Sequence, residues 1–134
     1  MGTWSAEPFG NDTAADFAWE LDGQKRWSVV RGALRAALRG KDPLDADTAC
    51  IAIAAAEVVA HGLGRPTQSD AYTESVEEFV RRARRPSGRL VTAAKRAVAA
   101  VSAPDSELAD VWMDDHAQEW HAANARLLTA LRGE

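Results

Sequence analysis

The chain has 134 residues, of which 46% are hydrophobic and 27% charged, a composition typical of one soluble globular domain with a real core. Its net charge of −4 disfavours general binding to nucleic acids or anionic membranes. The single cysteine, Cys50, excludes an internal disulfide, and no apolar run approaches the roughly 20 residues of a membrane span. Because no basic and apolar leader opens the sequence, we expect a cytoplasmic protein.

The first eleven residues predict an irregular segment that is pinned to the fold. A chain end is normally frayed and polar, whereas Trp4 and Phe9 are bulky anchors set among turn-forming residues. Asn11 and Asp12 follow as a helix-start signal. We therefore expect one domain over residues 1–134, in which residues 1–11 form an N-terminal clasp.

Apolar residues then recur with a helical period and almost never alternate, so the fold class is predicted as all-α. The first helix is expected over residues 12–21 and the second over residues 24–39. The apolar face of the second helix is predicted to carry Trp27, Val30, Leu34 and Leu38.

The third helix, expected over residues 45–61, is apolar on every side. Seven alanines accompany Cys50, Ile51, Ile53, Val58 and Val59, which leaves no clear polar face. A helix of this kind is usually buried all round, so we expect it to be the central element. The glycines and the proline of residues 62–66 end it.

Three further helices complete the predicted bundle. The fourth, over residues 70–84, has the apolar positions Tyr72, Val76, Phe79, Val80 and Ala83. A fifth follows Pro86, and the last covers residues 106–131 with Trp112 and Trp120 in one stripe. The sequence thus predicts a single compact helical bundle of about five to six helices.

Glu57 and His61 are the polar residues of the apolar third helix, and their spacing of four places them on one face. Burial is one way in which proteins prepare carboxylates as general acids and bases, so both residues are candidate catalytic groups. The alternative is a structural carboxylate that accepts hydrogen bonds from backbone N–H groups or an indole. We favour the structural alternative.

No metal site and no cofactor are predicted, although two clusters of potential ligands occur. Asp12 and Asp16 could join Glu57 around a divalent cation, but capping of the first helix explains them better. The last helix lacks the HExxH pattern of a zinc site, although several potential ligands crowd it: Asp114, Asp115, His116, Glu119 and His121.

Two groups of arginines mark the second helix and the end of the fourth: Arg31, Arg35 and Arg39, then Arg81, Arg82, Arg84, Arg85 and Arg89. Glu77 and Glu78 are expected to neutralise Arg81 and Arg82 through pairs four residues apart. The remainder could bind phosphate or an acidic partner, but a solvated face is the favoured interpretation. We do not expect nucleic-acid binding.

Four short stretches resemble one uncharacterised bacterial family. They are the opening Trp4…Pro8-Phe9…Asn11-Asp12-Thr13-Ala14-Ala15-Asp16, then residues 54–60, residues 64–66, and residues 105–109 running on to Trp112 and Trp120. In this order they resemble the domain-of-unknown-function 4259 family, whose members open with a WGxGPFxNDxAxD-like motif. Ser5 and Glu7 stand where that motif usually has glycines. The family has no established activity, so the resemblance implies positions and no chemistry.

The resemblance predicts that the clasp contacts the third helix. We expect Glu57 to accept hydrogen bonds from residues 3–16, either from backbone N–H groups or from the Trp4 indole.

The expected function is that of a small cytoplasmic bacterial interaction module without catalysis, in which five tryptophans serve core and binding surface. Its partner is expected to be a protein, in an immunity-like role, and no oligomeric state is predicted. The expected binding residues are Trp4, Phe9, Asn11, Asp12, Asp16 and Glu57. The alternative is an enzyme, or a protein that binds a small ligand or metal, with a site around Glu57, Asp12, Asp16 and His61.

Overall fold

The structure, a computed structural model, describes residues 6–39, 45–103 and 117–133. Within them, six α-helices follow one another: α1 (Asp12–Trp19), α2 (Ser28–Arg39), α3 (Ala46–Gly62), α4 (Glu74–Arg82), α5 (Gly88–Val101) and α6 (Ala117–Arg132). A 3-10 turn, Ala71–Thr73, precedes α4, and these residues contain no strand. The predicted all-α compact bundle is confirmed.

The central helix is α3, as its composition predicts. Of its 17 residues, 13 are buried, and each of the other five helices contacts it. Its many alanines allow these neighbours to approach closely from several directions, since the distance between helix axes depends on the side chains between them. The bundle is therefore arranged around one apolar helix.

Side-chain caps fix three of the helix starts. Asn11 Oδ1 accepts from the N–H of Ala14 at 2.8 Å and thereby begins α1, as the sequence predicts. Asp45 caps α3 in the same way, through Thr48, and this hydrogen bond lowers the pKa of the Asp45 carboxyl. Ser87 caps α5.

Two predicted core positions are wrong. Leu38 is 38% exposed, and the buried face of α2 consists of Val30, Leu34 and Ala37. At 100° per residue, position 37 returns to the direction of position 30, whereas position 38 has passed it. Tyr72 is 57% exposed because it lies in the 3-10 turn, outside the period of α4.

The described part of the last helix keeps its predicted apolar stripe, since Trp120, Ala123, Leu127 and Leu131 are all buried. Trp4, Trp112, Asp114, Asp115 and His116 lie outside the described residues. Over the described ranges, every helix is too short or too polar to cross a membrane.

Candidate functional site

The C-terminus of α3 reverses the chain at Gly64. Gly64 has a φ of +77°, its N–H donates to the carbonyl of His61, and the N–H of Arg65 donates to that of Ala60. This pair of hydrogen bonds is the Schellman motif, in which a glycine supplies the left-handed conformation. The reversal carries residues 65–68, which we call the return loop, back against α3.

The return loop surrounds the carboxylate of Glu57, which is fully buried. Thr67 donates its backbone N–H to Oε2 at 2.8 Å and its hydroxyl to Oε1 at 2.6 Å, and the N–H of Gln68 donates to Oε2 at 3.0 Å. An ionised carboxylate only accepts hydrogen bonds, so three donors suit its charged form. The buried carboxylate therefore anchors the return loop.

His61 completes this arrangement from one turn further along α3. Its Nε2 lies 2.8 Å from the carbonyl oxygen of Gln68 and 3.2 Å from Glu57 Oε2. Both neighbours are acceptors, which requires a proton on Nε2. His61 therefore donates to the same residue that Glu57 binds, and both candidate catalytic groups hold the return loop in place.

The expectation that residues 3–16 donate to Glu57 is wrong for residues 6–16, and Trp4 lies outside the described residues. The donors come from Thr67 and Gln68, because the turn at Gly64 delivers their N–H groups to the carboxylate. The clasp is joined instead to the return loop, where the N–H of Phe9 donates to Gln68 Oε1 at 2.8 Å.

The clasp is nevertheless pinned in its described part. Phe9 is fully buried within the core, and Pro8 and Gly10 beside it are buried as well. Gln68, only 4% exposed, also donates through Nε2 to Asp70 Oδ2 at 3.0 Å. The side chain of Gln68 therefore connects the clasp, the return loop and the start of the 3-10 turn.

The return loop and its contacts with Glu57 were not predicted from the sequence. Thr67, Gln68 and Arg65 carry this loop, and Arg65 also donates through Nη1 to the carbonyl of Ala130 in the last turn of α6, at 2.8 Å. The one local sequence signal for this loop is the glycine after α3. A glycine in the left-handed conformation at the end of a helix turns the residues that follow back onto that helix.

Asp12 and Asp16 do not share the environment of Glu57. Both are exposed on α1, whereas Glu57 and His61 are buried. Asn11 is occupied as the cap of α1. Within the described residues, no three His, Cys, Asp or Glu side chains are placed to hold a metal ion together.

The predicted pairs between Glu77, Glu78 and the following arginines are not formed. Glu77 Oε2 accepts from the hydroxyls of Ser69 and Thr73, at 3.1 and 2.9 Å. Arg82 instead donates to the carbonyls of Leu21 and Gln24, both at 3.0 Å. Neither glutamate therefore neutralises an arginine of this group.

Cys50 is a buried residue of α3 with no sign of an activated thiol. Burial, together with the nearby charge of Asp47, raises the pKa of the Cys50 thiol to about 11. The thiol is therefore protonated at neutral pH, which suits a small core residue and not a nucleophile.

The family model described as Domain of unknown function (DUF4259) matches residues 2–123. The chain belongs to this family. No curated protein and no solved structure matches the chain. In this DUF4259 chain, Glu7 occupies a position at which the resemblance places a glycine, yet no described residue other than glycine has a positive φ. Glu7 therefore requires no left-handed backbone.

Proposed function

We propose that this DUF4259 protein is a small binding module without catalysis, which acts in the bacterial cytoplasm and recognises a protein partner. The observation that carries the proposal is the exposure of Trp19, whose surface is 72% accessible at the end of α1. A tryptophan presented in this way leaves a large apolar area in water, and tryptophan is enriched among the residues that dominate binding energy at interfaces.

The surroundings of Trp19 give the partner its chemistry. Asp12, Asp16 and Glu20 are exposed at spacings of four along α1, and Trp19 lies beside Glu20 on the same side of the helix. The opposite side is buried in the core through Ala14, Phe17 and Ala18. We call the four exposed residues Asp12, Asp16, Trp19 and Glu20 the α1 face. An acidic rim around an apolar anchor suits a partner with a basic surface.

The proposal excludes catalysis because the two candidate catalytic groups, Glu57 and His61, already have structural partners. Glu57 binds Thr67 and Gln68, and His61 binds Gln68, so their polar atoms serve the return loop. The alternative site around Glu57, Asp12, Asp16 and His61 needs all four groups in one pocket, whereas two are exposed on α1 and two are buried on α3.

The cytoplasmic location is supported by Cys50, the single cysteine, which is a free and buried thiol. A protein without disulfides suits a reducing compartment.

Affinity capture from the native host tests the proposal with three baits: the wild-type chain, Trp19→Ala and Leu38→Ala. Leu38 is an exposed apolar residue on α2, so Leu38→Ala is a matched control for the loss of exposed apolar surface. We expect the wild type and Leu38→Ala to retain the same stoichiometric protein, which Trp19→Ala loses and which added salt weakens. The proposal fails if the wild type retains no stoichiometric partner, or if Trp19→Ala retains it equally well.

A further inference from the structure

A basic cavity lies where the segment between α1 and α2 meets the end of α4. Its volume is about 640 Å³, and five cationic residues line it: Lys25, Arg26, Arg31, Arg82 and Arg84. Trp27 and Ser28 complete the lining, which contains no Asp or Glu. The cavity brings together arginines from the two groups that are separate in the sequence. Arg31 comes from α2, and Arg82 and Arg84 come from the end of α4 and the residues just after it.

The charge of this cavity opposes that of the whole chain. The chain carries 20 acidic and 16 basic residues, yet five of the 16 converge here. No carboxylate of the described residues lies within 4.0 Å of these five side chains. The five side chains are exposed, and together they create a positive potential at the cavity that would attract a multiply charged anion.

The cavity is also held in shape by its own contacts. Arg82 donates to the carbonyls of Leu21 and Gln24, and these two hydrogen bonds fix its guanidinium. Within the described residues, three of its five N–H groups are left for a ligand. The indole N–H of Trp27 donates to the carbonyl of Arg84 at 2.7 Å, and the Trp27 ring packs edge-on against Phe79. A site fixed before binding loses less entropy when a ligand arrives.

We propose that the basic cavity binds a small ligand that bears a phosphate group. Guanidinium groups match phosphate oxygens in pairs, and several of them together favour a multiply charged anion over a single carboxylate. The volume lies in the range of small-molecule sites, roughly 300–1,000 Å³, which leaves room for an organic part beside the phosphate. This site goes beyond the proposed protein partner and does not depend on the α1 face.

Titrations followed by the indole N–H signal of Trp27 in nuclear magnetic resonance spectra test the proposal. The probes are inorganic pyrophosphate, inorganic triphosphate, ATP, adenosine and a short glutamate peptide. We expect pyrophosphate and ATP to shift the Trp27 signal saturably, and adenosine to leave it unchanged. Inorganic triphosphate, with as many phosphates as ATP, is the reference for the organic part: tighter binding of ATP than of triphosphate assigns a contact to the organic part, and equal binding assigns recognition to the phosphates alone.

Three arginine variants separate the cavity from general surface charge. Arg31→Gln and Arg84→Gln each remove a cation from the lining, whereas Arg35→Gln removes the same charge from an exposed position of α2 outside it. We expect each cavity variant to weaken pyrophosphate binding by about tenfold or more, since each loses charge-assisted hydrogen bonds, with thermal stability unchanged. Arg35→Gln should bind pyrophosphate like the wild type.

Three results would overturn the proposal. One is the absence of a saturable Trp27 shift with millimolar pyrophosphate and ATP. Another is an equal loss of affinity in Arg35→Gln and the cavity variants. The third is binding of the glutamate peptide as tight as that of pyrophosphate. None of these results bears on the partner expected at Trp19, which the capture experiment tests separately.

Discussion

Thr67 donates both its backbone N–H and its hydroxyl to the carboxylate of Glu57, at 2.8 and 2.6 Å, although ten residues separate the two along the chain. Glu57 is fully buried on α3, and the Thr67 hydroxyl is the donor to Oε1, so loss of that hydroxyl would leave a buried carboxylate oxygen unsatisfied. The relationship makes the return loop part of the core and not a surface connection.

Replacement of Thr67 by Val tests the hydroxyl, because Val keeps the branched shape and removes the donor to Glu57 Oε1. We expect the free energy of unfolding to fall by about 1.5–3 kcal/mol, the worth of a hydrogen bond to a charged group. Urea unfolding measures it. Thr92→Val on the exposed side of α5 is the matched control and should change stability by less than about 0.5 kcal/mol. Equal effects of the two variants would contradict this interpretation.

Gln68→Ala tests the connection between the clasp and the return loop. The variant removes the acceptor of the Phe9 N–H but keeps the backbone N–H that donates to Glu57. We expect faster hydrogen exchange at the Phe9 amide, with little change at the amides in the middle of α3. Exchange at Phe9 that stays as slow as in the wild type would show that burial alone pins the clasp.

The sequence predicted those parts of the fold that local rules determine. The cap at Asn11, the all-round burial of α3 and its end at the glycines after His61 follow from residue type and period. The burial of Glu57 followed as well, because it lies in an apolar helix, and so did its role as an acceptor of hydrogen bonds.

The partners of Glu57 could not be predicted, since every residue carries the backbone N–H groups that it binds. Their position depends on the direction in which the chain leaves Gly64, where a φ of +77° and the hydrogen bonds of the Schellman motif turn it back onto α3. The same reason applies to Arg82: the spacing from Glu78 allows a pair, but carbonyls about 60 residues away lie closer to its guanidinium. Both outcomes depended on contacts between residues ten or more apart along the chain.

Two glycine variants test the packing at the end of α3. A Cβ on Gly62 would lie 2.8 Å from both Trp27 Cη2 and Pro86 Cγ, so the rings must move. We expect Gly62→Ala to destabilise the protein by about 1–3 kcal/mol, the usual cost of overpacking. Gly32→Ala in α2 meets nothing within 4 Å and should stabilise by about 0.5–1 kcal/mol. Thermal unfolding should show a lower melting temperature for Gly62→Ala and a higher one for Gly32→Ala than for the wild type. Shifts of both melting temperatures in the same direction would contradict this packing.

Cys50 gives the stability an alkaline dependence. Its thiol has a pKa of about 11 in the folded chain, against an ordinary value of 9.0. The unfolded chain therefore loses this proton first, so the contribution is complete below pH 9.0 and declines as the pH rises towards 11. Unfolding of the wild type and of Cys50→Ala over this pH range isolates the effect, since all other groups titrate in both. Parallel curves would contradict a buried, protonated thiol.

The Glu57 carboxylate is a structural anchor that holds the return loop against α3. The free energy of unfolding of Glu57→Gln tests this role most directly, because glutamine keeps the shape but turns an N–H donor towards the donors of Thr67, Gln68 or His61. We expect a loss of about 3–5 kcal/mol, because at least two hydrogen bonds to the carboxylate are disrupted and each is worth about 1.5–3 kcal/mol. A variant as stable as the wild type would contradict this role and return Glu57 to the candidates for catalysis.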